Sequence, residues 1–251
     1  TRSTTSLRKE CLIPYRIDMA GGWMDQHYVN KFVGGPVVTI CIEPDYEFND
    51  RSGMSTSSRK KAIELWQTDI PQGDREKLAK TLFCFENPPG TKYISGSQDS
   101  LGIVMPGMNY LYYNNDYWPE KIENCVDNEV LTWIEERIWM VPLYPRAASY
   151  DVLANTNIDK EGASQLAAAA DKCWKAIQAK NAVEAGSAIT ESFEAQIRMF
   201  PNMVNEDILQ QIELYKGDSF GWKVSGAGGG GYLIFFSEKP VKNAIQIRIR
   251  R

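Results

Sequence analysis

Four short stretches of this 251-residue chain carry residue types that could handle a charged or polyhydroxylated ligand. The first, "PYRIDMAGGWMDQ" at 14–26, sets Arg16 two positions before Asp18, turns at Gly21-Gly22 and adds Asp25. Residues two apart on a strand face the same side, so Arg16, Asp18, Gly22 and Asp25 outline a rim suited to a polyol. A hairpin with solvated charges is the plainer reading. The second, "SGMSTSS" at 52–58, places Gly53 and Met54 ahead of Ser55, Thr56, Ser57 and Ser58. One hydroxyl suffices to cap a helix; four at a helix start also offer donors to phosphate and oxygens to Mg²⁺.

The third stretch, "SGSQDSLG" at 95–102, isolates Asp99 among small residues, where a cap or an Asx-turn is the ordinary role. The fourth is "KVSGAGGGGYLIFF" at 223–236, with Gly226, Gly228, Gly229, Gly230 and Gly231 just before a buried-strand pattern. Glycine inside an element costs roughly 0.5–1 kcal/mol relative to alanine, so the missing side chains must be needed there. Either two backbones pack closely or N–H groups cradle anionic oxygens. The spacing is not that of a P-loop, and no GxGxxG opens a helix after a strand.

The elements that must position these residues follow from the pattern of the chain. Residues 11–50 predict a strand, a turn at "AGGWMDQ" and a second strand in "PVVTICIE". Residues 53–86 predict two helical stretches split by Pro71 and Gly73. The stretch through "LTWIEERIWMVPLYP" reads as irregular, aromatic and acidic. The segment from Ser164 to Phe200 predicts helix with a break near Asn181 or Gly186, and "NEDILQQIELYKG" predicts one more short helix before the glycine run. No repeat and no low-complexity tail is present.

A net charge of −4 and a pI near 5.3 argue against a general nucleic-acid binder. Five cysteines form no CxxC pair and leave an odd one, which points to a reducing cytoplasm. No apolar run approaches a membrane span, and "TRSTTSLRKE" lacks the apolar core of a signal peptide. The first residue is Thr rather than Met, so a fused domain before Thr1 is left open.

Taken in order, the four stretches resemble the GHMP kinases, the superfamily of galactokinase, homoserine kinase, mevalonate kinase and phosphomevalonate kinase. "RIDMAGGWMDQ", "SGMSTSS" and "SGSQDS" look most like its sugar-kinase branch, with L-fucose kinase and the heptose-phosphate kinases. The resemblance implies an α+β fold of two packed lobes. These are a ribosomal-protein-S5-like N-terminal lobe at 11–145 and a ferredoxin-like C-terminal lobe at 146–251. It also implies an ATP- and Mg²⁺-dependent transfer of phosphate to a hydroxyl of a sugar or sugar phosphate.

Residue by residue, the resemblance makes 53–58 the nucleotide-phosphate loop, with Ser57 and Glu86 as Mg²⁺ ligands. Asp99 becomes the active-site carboxylate and Arg16 its basic partner. Asp18, Gly22, Asp25 and Gly228 would contact the substrate, while Gly226, Gly228 and Gly229 would close over the nucleotide. Three features depart from the pattern. The segment between Asp25 and Gly53 is short of several strands, Arg59-Lys60-Lys61 follow Ser58, and Ser100 follows Asp99. The basic trio predicts phosphate contacts or a solvated helix face. The missing strands favour an alternative, a catalytically silent sugar sensor on the same fold. A kinase for a mevalonate-type acid fits Asp25 poorly, because such a substrate calls for cations at that place.

Overall fold

The computed structural model describes residues 10–48 and 51–251, so the expected lack of a signal-peptide core at 1–9 lies outside the described residues. Strand β1 (Tyr15–Ala20) is followed by the short α1 (His27–Asn30) and by β2 (Gly35–Ile42). Helices α2 (Thr56–Trp66), α3 (Arg75–Glu86) and α4 (Ser97–Val104) come next, then β3 (Met108–Tyr113) and β4 (Lys121–Cys125). After α5 (Asn128–Glu135) and β5 (Ile138–Pro142) stand the long α6 (Lys160–Gln178) and α7 (Ala182–Met199). Helix α8 (Glu206–Tyr215) and strands β6 (Gly221–Val224) and β7 (Tyr232–Phe236) complete a mixed α/β fold.

Two antiparallel sheets result, ordered β1-β2-β3-β4 and β5-β7-β6. The second sheet takes β5 from before residue 145 and its other two strands from after it. One buried cluster joins the sheets to the helices: Ile17, Met19 and Ile40 meet Met140, Ile234 and Phe236, with Cys173, Ile177 and Ile189 against them. The tail pairs with both sheets, Ile249 opposite Ile42 and Ile245 opposite Met140.

The helices split by Pro71 and Gly73 form as expected, and the break in the long helical segment falls at Asn181. Its side chain accepts from Glu184 N and starts α7. Gly186 instead sits inside α7, where an added Cβ would come within 2.3 Å of Phe220. The helix needs glycine to let the strand approach, not to end. The stretch expected to be irregular holds β4, α5 and β5. Strand β4 is half-exposed and lacks a clean apolar alternation, while α5 is only 8 residues long, so neither period is well sampled. Among the described residues no strand lies between β2 and α2, as the short 26–52 segment requires.

Candidate active site

In β1, Tyr15, Ile17 and Met19 enter the core while Arg16 and Asp18 face the other way, into a cavity of about 400 Å³. Arg16 is the hub. Its Nη2 donates to Asp99 Oδ1 at 2.6 Å, its Nη1 to Asp18 Oδ1 at 3.0 Å and its Nε to Ser55 Oγ at 2.6 Å. Burial works against the arginine's charge, but the carboxylates of Asp99 and Asp18 outweigh it and its pKa moves up. Helix α4 leaves room for this: a Cβ on Gly102 would sit 2.1 Å from Arg16 Cγ. An isolated glycine in a helix costs about 1 kcal/mol, which is the sequence signal for such a close approach.

Asp99 stands in the first turn of α4, its Oδ1 also accepting from Ser55 Oγ at 2.6 Å. Its side chain is 25% exposed where that of Arg16 is 5%, so the carboxylate is the end of the pair that reaches the cavity. Asp25, on the adjoining turn, accepts from Gln98 Nε2 at 2.8 Å, and Gln98 Oε1 is buried without a partner. A Cβ on Gly96 would overlap Asp25 Oδ2, which accounts for glycine there.

Burial, reinforced by the nearby Asp99 charge, raises Asp25 from its ordinary 3.8 to about 7. The folded state then holds a proton that the unfolded chain has lost between those pH values. Stability falls as pH rises across that window, because the native state binds more protons. Asp25→Asn should flatten the dependence and stabilise the protein at pH 8 by up to about 4 kcal/mol. Thermal melts of both proteins from pH 4 to pH 8 check this, and parallel curves for the two would count against it.

The phosphate-loop candidates separate by role. Ser55 adopts a left-handed φ of 55° before α2 and turns its hydroxyl to Asp99 and Arg16 rather than capping the helix. Side chains of Asp74, Asp127, Asp159, Asn181 and Asn205 cap α3, α5, α6, α7 and α8. Only α2 and α4, among the described helices of eight residues or more, lack a side-chain cap, and both begin at the cavity wall. Their first N–H groups and dipoles are thus open to an anion.

Gly53, Thr56, Ser57 and Ser58 line the cavity, whereas the Met54 side chain is fully buried in the core and anchors the loop from behind. Ser58, not Ser57, donates to Glu86 Oε1, and Glu86 stands behind the cavity wall. Burial and the Asp99 charge push Glu86 up to about 8, and its Oε2 is buried without a partner.

The glycine run also divides. Gly226 lines the cavity and meets the loop before α2 backbone to backbone: its added Cβ would lie 2.7 Å from Gly53 Cα. Gly228 and Gly229 do not line it; their φ values of +74° and +72° belong to turns packed on Met203 and Tyr150. The basic trio splits three ways. Arg59 is buried over the Tyr15 ring and donates to Ile13 O, Lys60 lines the cavity, and Lys61 pairs with Glu64 at the surface.

Sequence reasoning gave no role to Lys223, Gly96, Gly102, Trp23 or Arg146, and took Gln98 only as part of the motif around Asp99. Lys223 is 1% exposed and donates to Asp18 Oδ2 at 2.7 Å and Asp18 O at 2.6 Å, so Asp18 is tied up between two cations even though it touches the cavity. Trp23 holds a φ of 90° and stacks on Phe200 at 4.1 Å. Positive φ is unusual for a tryptophan and was a signal only the backbone could give. Among the described residues no cluster of three or more His, Cys, Asp or Glu forms a metal site, all five cysteines are free, and no helix is long and apolar enough to cross a membrane.

No protein-family model matches the chain, and no curated protein matches it. Solved structures do. A mevalonate kinase superposes with a TM-score of 0.61 at 13% identity, covering 96% of this chain and 99% of the other. A D-glycero-D-manno-heptose 1-phosphate kinase from Bacteriodes thetaiotaomicron gives 0.55 at 13%, covering 94% and 95%. The Lactococcus lactis galactokinase complexed with galactose gives 0.57 at 16%, covering 90% and 84%. The fold of this chain is therefore that of the GHMP kinases.

Proposed function

We propose that this protein is an ATP- and Mg²⁺-dependent kinase that phosphorylates a hydroxyl of a sugar or sugar phosphate of the fucose, heptose or galactose kind. One observation carries the reading. Asp99, held by Arg16 and Ser55, reaches a cavity onto which the two uncapped helices open. Phosphoryl transfer asks for this arrangement: donors around the phosphates, a carboxylate at the attacking hydroxyl and a cation for the charge in flight. Open N–H groups at the start of α2 bind the nucleotide's phosphates. Asp99 orients the acceptor hydroxyl and accepts its proton, while Arg16 fixes the carboxylate through Nη2. Asp25 and Gln98, beside Asp99 in the same cavity lining, bind the acceptor's other hydroxyls.

The residues present fit a magnesium ion. Glu86 has a buried oxygen with no partner, and the Ser57 hydroxyl is exposed on the cavity wall. A site with so few protein ligands suits Mg²⁺, which keeps waters and phosphates in its shell. Glu86 and Ser57 would hold the ion, and it would supply neutralisation of the phosphates' charge. The five free thiols fit the cytoplasmic setting proposed with this activity.

The test is ATP consumption over a panel of free and phosphorylated hexoses, deoxyhexoses and heptoses, with product position read by NMR. No turnover on any of them overturns the kinase and favours the silent sensor. Glu86→Gln should raise the Mg²⁺ concentration needed for half-maximal rate by about tenfold or more. The fold should survive, because burial already opposes the charge that is removed. An unchanged Mg²⁺ requirement would take Glu86 out of the site.

A further inference from the structure

We infer that Arg146 is a phosphoryl-binding residue of this cavity, its guanidinium receiving the oxygens of a phosphate carried by the nucleotide or by the acceptor. Arg146 belongs to no strand or helix; it sits between β5 and α6 and lines the same cavity as the start of α2. Its Nε donates to Gly228 O at 2.9 Å, and its guanidinium lies 5.3 Å from the centroid of the Tyr150 ring. The Tyr150 hydroxyl in turn donates to Ala227 O at 2.7 Å. One segment thus grips two consecutive carbonyls of the glycine run, and the guanidinium is held in place before any ligand arrives.

What it lacks is a counter-charge. Arg16, Arg137, Arg198, Arg250 and Arg251 each pair with a carboxylate. Among the described residues Arg146 pairs with none, and its Nε bond is its one hydrogen bond, leaving both Nη groups free. A cation that is partly buried and unpaired is costly unless an anion completes it. Burial accordingly lowers its pKa.

The free Nη atoms form a planar fork that matches two oxygens of a phosphate. The neighbourhood selects the same chemistry. Gly226 and Ala227 line the wall beside it, Gly226 abuts Gly53 at the loop before α2, and Lys60 lines the same cavity. A neutral sugar ring alone would leave this charge unanswered.

The inference rests on the kinase reading only for the choice of nucleotide probes. Calorimetric titrations of AMPPNP, ADP and inorganic phosphate into wild type, Arg146→Gln and Arg146→Lys decide it. An Arg146→Gln loss of about tenfold or more for AMPPNP, with ADP within about twofold, places the phosphate at the nucleotide's end. The same loss for inorganic phosphate, with both nucleotides unchanged, places it on the acceptor. Either result supports the assignment, and Arg146→Lys, which keeps charge without the fork, should fall between. Affinities of Arg146→Gln that all stay within about twofold of wild type overturn it. So does a uniform loss that includes ADP and comes with a lower melting temperature, since that reports a collapsed glycine run. A wild type that binds neither nucleotide fails the kinase reading alone; the phosphate titration still decides Arg146, and no phosphate binding by wild type overturns it.

Discussion

Asp99→Asn lowers turnover by about 10²–10⁴-fold and leaves nucleotide affinity nearly unchanged. The substitution keeps size and shape but removes the negative charge and the capacity to take a proton. Arg16 Nη2 and Ser55 Oγ both donate to Asp99 Oδ1, so the amide must turn its oxygen toward them and present an N–H₂ to the cavity. The acceptor hydroxyl then meets a donor where it needs an acceptor. Nucleotide affinity is spared because the N–H groups proposed to bind the nucleotide's phosphates are those of α2, which does not include Asp99. Single-turnover phosphoryl transfer and calorimetric ATP binding on both proteins make the measurement. Wild-type turnover in the variant would remove Asp99 from the chemistry, and a parallel loss of ATP binding would make its role structural.

Legibility in the sequence differed from residue to residue for physical reasons. The β1 strand announces itself because Tyr15, Ile17 and Met19 alternate with Arg16 and Asp18, and that period alone puts the two charged residues on one face. The Arg16–Asp99 pair, separated by 83 residues, has no local signal; it came from the resemblance, and the geometry brings the two within 2.6 Å. Met54 looked like part of a phosphate loop because it stands between Gly53 and Ser55, which both line the cavity, yet its side chain is the anchor that holds this loop on the core.

The glycine run misled in the same way. Gly226 meets Gly53 and Gly231 meets Ser52, while Gly228 and Gly229 serve turns against Met203 and Tyr150, and one-dimensional spacing cannot separate a glycine cleared for a ligand from one cleared for a neighbour. Arg146 was hidden in a segment without a period, and Lys223 in a strand where a lysine reads as solvent-facing.

Lys223 sets the largest expected loss of stability. Its ammonium is among the most buried charges in the protein, and burial lowers its pKa against the pull of Asp18. The chain of contacts runs from Lys223 through Asp18 and Arg16 to Asp99, linking β6 of the second sheet to β1 of the first and on to α4. Asp18→Ala removes the one carboxylate between the two cations and leaves the buried Lys223 charge with only the backbone oxygen of residue 18 as its partner. Breaking such a pair costs about 3–5 kcal/mol, more than the pair contributes relative to apolar residues of similar volume. The double variant Asp18→Ala with Lys223→Met should therefore regain a large part of what Asp18→Ala loses, because the stranded charge goes with the lysine. Turnover should not recover alongside stability, since Arg16 still lacks its Nη1 partner and its hold on Asp99 is looser. Chemical denaturation of wild type, both single variants and the double variant, each paired with a rate, separates the two effects. Additive losses in the double variant would mean that Lys223 reaches water when Asp18 is gone, and full recovery of both stability and rate would mean that Asp18 does not position Arg16.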